Sequence, residues 1–285
     1  MTGLDEWQGG VGRNWATQWR RTDRSFAALT KRLIARIAEL PGNRVLDIGC
    51  GAGELSLAIA GARPGVRVTG VDVSDDLVEA AQARAHAGSL ANVEFLVEDA
   101  ARWSDPQSPP NLVVSRHGVM FFDDPPAAFA HLATTVRPGA QLVFSCFRAA
   151  SENPWASEIA GLIPQASVTT PPDRFAPGPF AFADPAHVEA VLAAGGWQGI
   201  AFEPVDFTYV AGEGADPVAD ALAFFCHIGP AAAALRALAT GDRPGIDGRR
   251  EIEERLVELL ERRREGSRVS FPAAAWIVTA RRGAD

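Results

Sequence analysis

The sequence predicts an α/β fold built on a parallel, doubly wound sheet, and three observations carry that expectation. Short apolar runs alternate with helical patterns from residue 44 to residue 147. Three glycines, Gly49, Gly51 and Gly53, punctuate the first strand-to-helix turn. Two carboxylates, Asp72 and Asp99, end the second and third strands, at the sheet edge where open α/β folds bind ligands.

The elements follow in order. Residues 44–48 form an apolar run ending in glycines, which reads as a buried strand. Residues 54–60 place Leu55 and Ile59 on one helical face, with Gly61 as a stop. Residues 66–71 give the second strand. Ser74 then caps a helix whose first turn holds Asp75 and Asp76 and which stops near Gly88. Residues 93–97 and 112–115 are the third and fourth strands. Asp124 caps a helix with Pro125 in its first position and Phe129, Leu132 and Val136 as its stripe. Pro138-Gly139 ends that helix, and residues 141–147 make the fifth strand.

Beyond it the rhythm breaks. Residues 148–184, rich in Pro and Gly, read as a long excursion, residues 185–194 as a helix and residues 197–210 as a sixth strand. Residues 211–266 hold two or three helices, a cap insertion whose last helix, 249–264, alternates charge sign as solvated faces do. Residues 269–280 form the closing strand. The division expected is an N-terminal helical segment, 1–43, and one domain, 44–285.

Composition narrows the function. With 285 residues, 47% hydrophobic and 22% charged, the chain has apolar surface for one large core and too little charge for disorder. A net charge of −8 argues against a dedicated nucleic-acid binder. No apolar run reaches the length of a membrane span, and the first ten residues lack a secretory signal pattern. Cys50, Cys146 and Cys226 are far apart, with no metal-binding spacing, so a cytoplasmic protein with free thiols and no metal is expected. The charge is uneven: residues 1–44 carry 8 basic and 4 acidic groups, whereas residues 45–241 carry 9 and 22.

The glycine loop, Asp47-Ile48-Gly49-Cys50-Gly51-Ala52-Gly53-Glu54, is the most informative stretch. A dinucleotide site would need its third glycine where Glu54 stands, and a pyrophosphate there would face a carboxylate. With Thr69 to Ser74, Glu98-Asp99-Ala100 and Val136 to Gly139, the loop resembles the successive motifs of class I S-adenosylmethionine (SAM)-dependent methyltransferases. The resemblance covers about residues 40–147 and is nearest to the small-molecule branch, including ubiquinone/menaquinone-type C-methyltransferases. It implies a Rossmann-like seven-stranded sheet, order 3-2-1-4-5-7-6 with strand seven antiparallel, and helical lid and cap insertions. It also implies SAM as cofactor and S-adenosylhomocysteine (SAH) as product. By position, Gly49, Gly51 and Gly53 would line the methionine moiety, with Asp47 near its amino group. Asp72 would hold the ribose hydroxyls, Val73 would pack on adenine, and Asp99 with Ala100 would meet the adenine edge. Ser115, ending the fourth strand, is counted with them. A sulfonium cation without pyrophosphate suits the acidic middle of the chain.

The acceptor side is less patterned. His117 has the ordinary pKa of a general base, or else it bonds loop backbone. Arg116 binds an anionic acceptor or pairs with Asp123 or Asp124. Trp15 and Trp19, four apart, share a helix face that covers the cofactor or anchors the helix. Phe147 and Trp155 fall where the acceptor should enter, and Phe224, Phe225 and His227 are possible lining from the cap. No serine-hydrolase elbow, P-loop or zinc-protease motif competes. Two functions fit: methyl transfer to a small, partly apolar acceptor, or a non-catalytic SAM-binding protein that keeps the cradle.

Overall fold

The computed structural model describes residues 4–163, 173–240 and 246–283. Three helices come first, α1 (Leu4–Trp7), α2 (Gly10–Thr17) and α3 (Trp19–Ala38). The alternating core follows: β1 (Arg44–Ile48), α4 (Glu54–Ala62), β2 (Arg67–Asp72), α5 (Asp75–Ala87), β3 (Val93–Val97), β4 (Leu112–Arg116), α6 (Pro125–Thr135) and β5 (Gln141–Phe147). The rest comprises α7 (Pro154–Leu162), α8 (Pro185–Ala194), β6 (Trp197–Glu213), α9 (Pro217–Phe225), α10 (Pro230–Thr240), α11 (Ile246–Arg262), β7 (Arg264–Glu265) and β8 (Arg268–Arg282).

Four helix starts, those of α5, α6, α8 and α9, are marked by capping side chains. Ser74 Oγ accepts the Leu77 amide at the head of α5. An Asp-Pro pair opens α6, α8 and α9, the Asp124, Asp184 and Asp216 side chains accepting the amides of Ala127, Ala186 and Ala219. In each, proline takes the first position, where an amide hydrogen would have no partner.

The sheet runs β3-β2-β1-β4-β5-β8-β6. Strands β1 to β5 pair in parallel, while β8 lies antiparallel between β5 and β6. This is the expected seven-strand order, the antiparallel strand being β8 because the two-residue arm β7 pairs with it and takes a number. The central strands are buried on both faces, Leu46, Val113, Val114 and Leu142 being inaccessible to solvent.

Several boundaries differ from expectation. Strand β6 runs on to Glu213, with irregularities between Gln198 and Ala201 and between Val210 and Gly212, so it carries pairing into the stretch read as helical insertion. Asp99 lies two residues beyond β3, in the loop. The excursion after β5 holds α7, headed by Asn153, whose amide bridges Arg148 and Ala274 carbonyls. Its stretch 164–172 lies outside the described residues. On α11, Arg249–Glu253, Arg250–Glu254 and Arg255–Glu251 pair one turn apart on the outer face.

The N-terminal helices are held unequally. Helix α3 buries Phe26, Leu29, Leu33 and Ile37. Its Arg24 pairs with Asp220 of α9 (2.5 Å) and donates to the Ala211 carbonyl (2.5 Å), while Ser25 donates to the Val210 carbonyl (3.0 Å). Helix α2 buries only Val11 and Gly12, and Gln18 links it to α3. Among the described residues, no single helix is long and apolar enough to cross a membrane.

Candidate functional site

A cavity of about 410 Å³ opens above the carboxyl ends of β1, β2 and β4, within the range of small-molecule sites. Its floor is the glycine loop. Gly49 has φ +60°, and a Cβ there would stand 2.8 Å from the Gly118 Cα, so only glycine lets the β1 and β4 turns touch. Gly53 plays a different part from the one expected. It caps α4 at φ +83°, a Cβ would press on the Phe95 ring at 2.8 Å, and it is not among the cavity-lining residues. It serves helix packing, while Gly49 and Gly51 line the cavity.

The carboxylates converge as the strand ends dictate. Asp72 accepts the Gly51 amide (2.9 Å) and the Ser74 amide (3.0 Å), one on each oxygen, which fixes the loop and leaves further lone pairs. Burial raises its pKa, with those amides opposing. Asp47 is 1% exposed. Ser56 donates to its Oδ2 at 2.6 Å, its Oδ1 has no partner, and burial pushes the group up to about 7. Val73, Asp99 and Ala100 line the same wall, with Asp99 Oδ1 held by the Ala101 amide at 2.9 Å.

The opposite wall comes from the N-terminal helices, through Trp7, Trp15, Trp19, Thr22 and Asp23. Trp15 and Trp19 both line it but do not share one helix face, because the helix breaks at Gln18 between them. Trp19 is covered by the chain's own cations, Arg84 at 3.9 Å and Arg20 at 4.3 Å. Arg84 also donates to the Ala52 carbonyl (2.6 Å) and to Asp23 (2.7 Å), tying the start of α3 to the glycine loop. Trp7 went unassigned in the sequence because no periodicity links it to a strand end. It lies 5.0 Å from Phe121 and 5.6 Å from Trp15, with its buried Nε1 lacking a partner.

The end of β4 corrects several expectations. Arg116 lines the cavity but pairs with Glu54, donates to Thr30 Oγ1 (3.0 Å) and approaches Asp23 (3.8 Å), not Asp123 or Asp124. The Glu54 charge is thereby engaged within the protein. His117 borders the cavity at φ +66°, its ring stacked on Phe147 at 4.1 Å, with neither ring nitrogen partnered. Burial, with Arg116 adjacent, drives its pKa down to about 3, so it is neutral at physiological pH and a poor base. Phe147 and Trp155 are buried in an aromatic core, Trp155 stacked on Tyr209 at 5.0 Å, and neither lines the cavity. Ser115 is also behind the wall, donating to the Ile48 carbonyl (2.7 Å) and accepting the Gly118 amide (3.1 Å). Phe224 and Phe225 are buried within the cap, and His227 bonds the Ala223 carbonyl on its surface.

Fold and cavity together define a Rossmann-like domain with its ligand site at the carboxyl edge of β1, β2 and β4. The family profile described as a methyltransferase domain matches residues 19–172. Over 156 residues the chain is 31% identical to aklanonic acid methyltransferase DauC of Streptomyces sp. (strain C5), covering 53% of this chain and 70% of that one. It is 33% identical over 112 residues to a ubiquinone biosynthesis O-methyltransferase of Coxiella burnetii, spanning 37% of this chain and 44% of the relative's length. Solved structures with the same fold include the following two. The YcgJ protein of Bacillus subtilis has a TM-score of 0.53 at 18% identity, covering 90% of this chain and 99% of that one. A Haemonchus contortus phosphoethanolamine N-methyltransferase in complex with SAH has a TM-score of 0.55 at 16% identity, covering 98% and 59%. The chain belongs to the methyltransferase domain family and is a SAM-dependent methyltransferase.

Proposed function

We propose that the protein transfers a methyl group from SAM to a small, partly apolar acceptor, and that the 410 Å³ cavity is the cofactor site. The observation that carries this reading is the unpartnered Oδ1 of Asp47, a buried carboxylate oxygen bordering the cavity. An unmet acceptor in that position fits the ammonium of a methionine moiety. Asp72 has spare lone pairs for two ribose hydroxyls, and Asp99 with Ala100 faces the space beside them for an adenine edge. Gly49 and Gly51 let the backbone approach, while Val73 offers an apolar contact. Bound there, the cofactor supplies an electrophilic methyl group on a sulfonium.

The chain's own residues contribute alignment and exclusion of water more than proton transfer. Burial lowers the basicity of His117 and makes it a poor proton acceptor, so the acceptor arrives as an amine, a phenolate, an enolate or another ready nucleophile. Helices α1 and α2 act as the lid, with Gln18 as hinge, and α3 belongs to the body through Arg24 and Asp220. The aromatic wall of Trp7, Trp15 and Phe121 supports an apolar acceptor or cofactor face. The names of the Streptomyces and Coxiella relatives support a small-molecule acceptor rather than a macromolecule. Three free cysteines support a reducing, cytoplasmic setting. Incubation with SAM and a panel of phenols, quinols and amines should yield SAH, and calorimetry should detect SAM but not NAD. Binding of NAD with no response to SAM overturns the reading.

A further inference from the structure

We propose that Arg116 binds the α-carboxylate of the cofactor's methionine moiety, Nη2 donating to that group while Nη1 stays engaged within the protein. This rests on the cofactor reading given above and assigns the second charge of the same ligand. An amino-acid moiety brings an anion as well as an ammonium, and Asp47 answers only the ammonium. Among the described residues lining the cavity, the arginines are Arg102 and Arg116. Arg102 is 88% exposed and leans on Asp99 at 3.7 Å, beside the space assigned to adenine. Arg116 ends β4, with its side chain 15% exposed. Asp47 of β1 is in register with Val114 of β4, so Arg116, two residues on, shares its face of the sheet. The charge of each acts on the other.

The guanidinium is only partly used by the protein. Nη1 pairs with Glu54 and donates to Thr30 Oγ1 at 3.0 Å. Nη2 approaches Asp23 at 3.8 Å, beyond hydrogen-bond distance. Asp23 has its own cation, Arg84 at 2.7 Å, and does not depend on Arg116. Nη2 is thus a charged donor in the cavity wall that the protein leaves spare. Glu54 and Thr30 fix the plane of the fork before any ligand arrives. The local charges also balance, Arg84 and Arg116 against Asp23 and Glu54. A zwitterion adds one charge of each sign, with Asp47 and Arg116 as the respective partners. Glu54, which stands where a dinucleotide site needs glycine, gains a use here as the anchor of that arginine.

Arg116→Gln and Arg116→Lys test this with two ligands, SAH and S-adenosyl-3-thiopropylamine, which is SAH without its carboxylate. Calorimetry should show the wild type binding SAH at least about tenfold more tightly than the amine. Arg116→Gln should weaken SAH about ten- to hundredfold, the range of a charge-assisted hydrogen bond, and leave the amine unchanged or tighter. Arg116→Lys keeps the charge without the fork and should fall between the two. A merely structural Arg116 would weaken both ligands alike, and that result overturns the assignment. So does unchanged SAH affinity in the Gln variant, or equal affinity of the wild type for the two ligands. Should the Gln variant not fold, the Lys variant decides by the same ratio. If the wild type binds neither ligand, the cofactor reading fails and this inference with it.

Discussion

At His117 a left-handed backbone, a stacked ring and two unpartnered nitrogens describe an imidazole used as an aromatic plate. His117→Phe should therefore leave methyl transfer within about threefold and keep or raise the melting temperature, since unmet polar atoms are removed. The pH behaviour follows from the same burial. The folded pKa of about 3 lies below the ordinary value of 6.5, so between those values the unfolded chain binds a proton that the folded chain does not. Wild-type stability should fall as pH drops through that window, and the Phe variant should lose less, as urea melts at pH 4 and 7 would show. Asp47 has the opposite sign. Its folded pKa near 7 exceeds the unfolded value, so its contribution is largest below pH 4 and fades as pH rises through 7. A bound ammonium pulls that pKa down, so binding of SAH near pH 7 should release a proton, measurable by calorimetry in buffers of different ionisation enthalpy; proton uptake would contradict it. Asp72 was legible because it ends a strand at the sheet edge, and Asp47 only through the resemblance of its glycine loop to a known family. The fate of His117 was not, because burial against Phe147 depends on residues far away in sequence.

Among the elements, α2 is lightly held, burying only Val11 and Gly12. Gly12→Ala should displace it from Ser74 and weaken SAH binding about fivefold or more, while unfolding shifts by only about 3 °C or less, because α3 is anchored independently. Equal affinity in a titration of this variant would show that α2 does not take part in the site. Helix starts were read where a side chain announces them, at Ser74 and at Asp124-Pro125, and the same signal stands unread at Asp184-Pro185 and Asp216-Pro217. The break at Gln18 was not, since Trp15 and Trp19 keep a helical spacing across it. Only the docking of α2 on α5 and of α3 on β6 sends the two helices different ways. Strand β6 outran its expected end for a similar reason. Its last residues are ordered by pairing with β8, and an alternating pattern interrupted by glycine at Gly212 hides that partner.

Across the whole molecule, charge and topology were the legible properties. The acidic middle of the chain supplies the carboxylates around the cavity apart from Asp23, and of the arginines there Arg116 is engaged with Glu54. Raising ionic strength from 50 to 500 mM should therefore weaken SAM on the order of two- to threefold more than SAH, which lacks the sulfonium charge. An equal salt response from both would remove long-range charge from the account. The strand order was expected from the motif series, whereas the cap was recognisable only as helical, because its core joins Tyr209, Phe225 and Phe271 from separate segments.

One feature of the sheet bears on how the chain is made. Strand β8 stands between β5 and β6, so during synthesis both neighbours emerge from the ribosome before the strand that joins them. Until it arrives, β5 presents an open edge of apolar residues, Leu142, Val143 and Phe144, and β6 has no place in the sheet. The nascent protein is thus exposed to aggregation and to chaperones for longest at β5, and a chain stalled before residue 268 would be held open there.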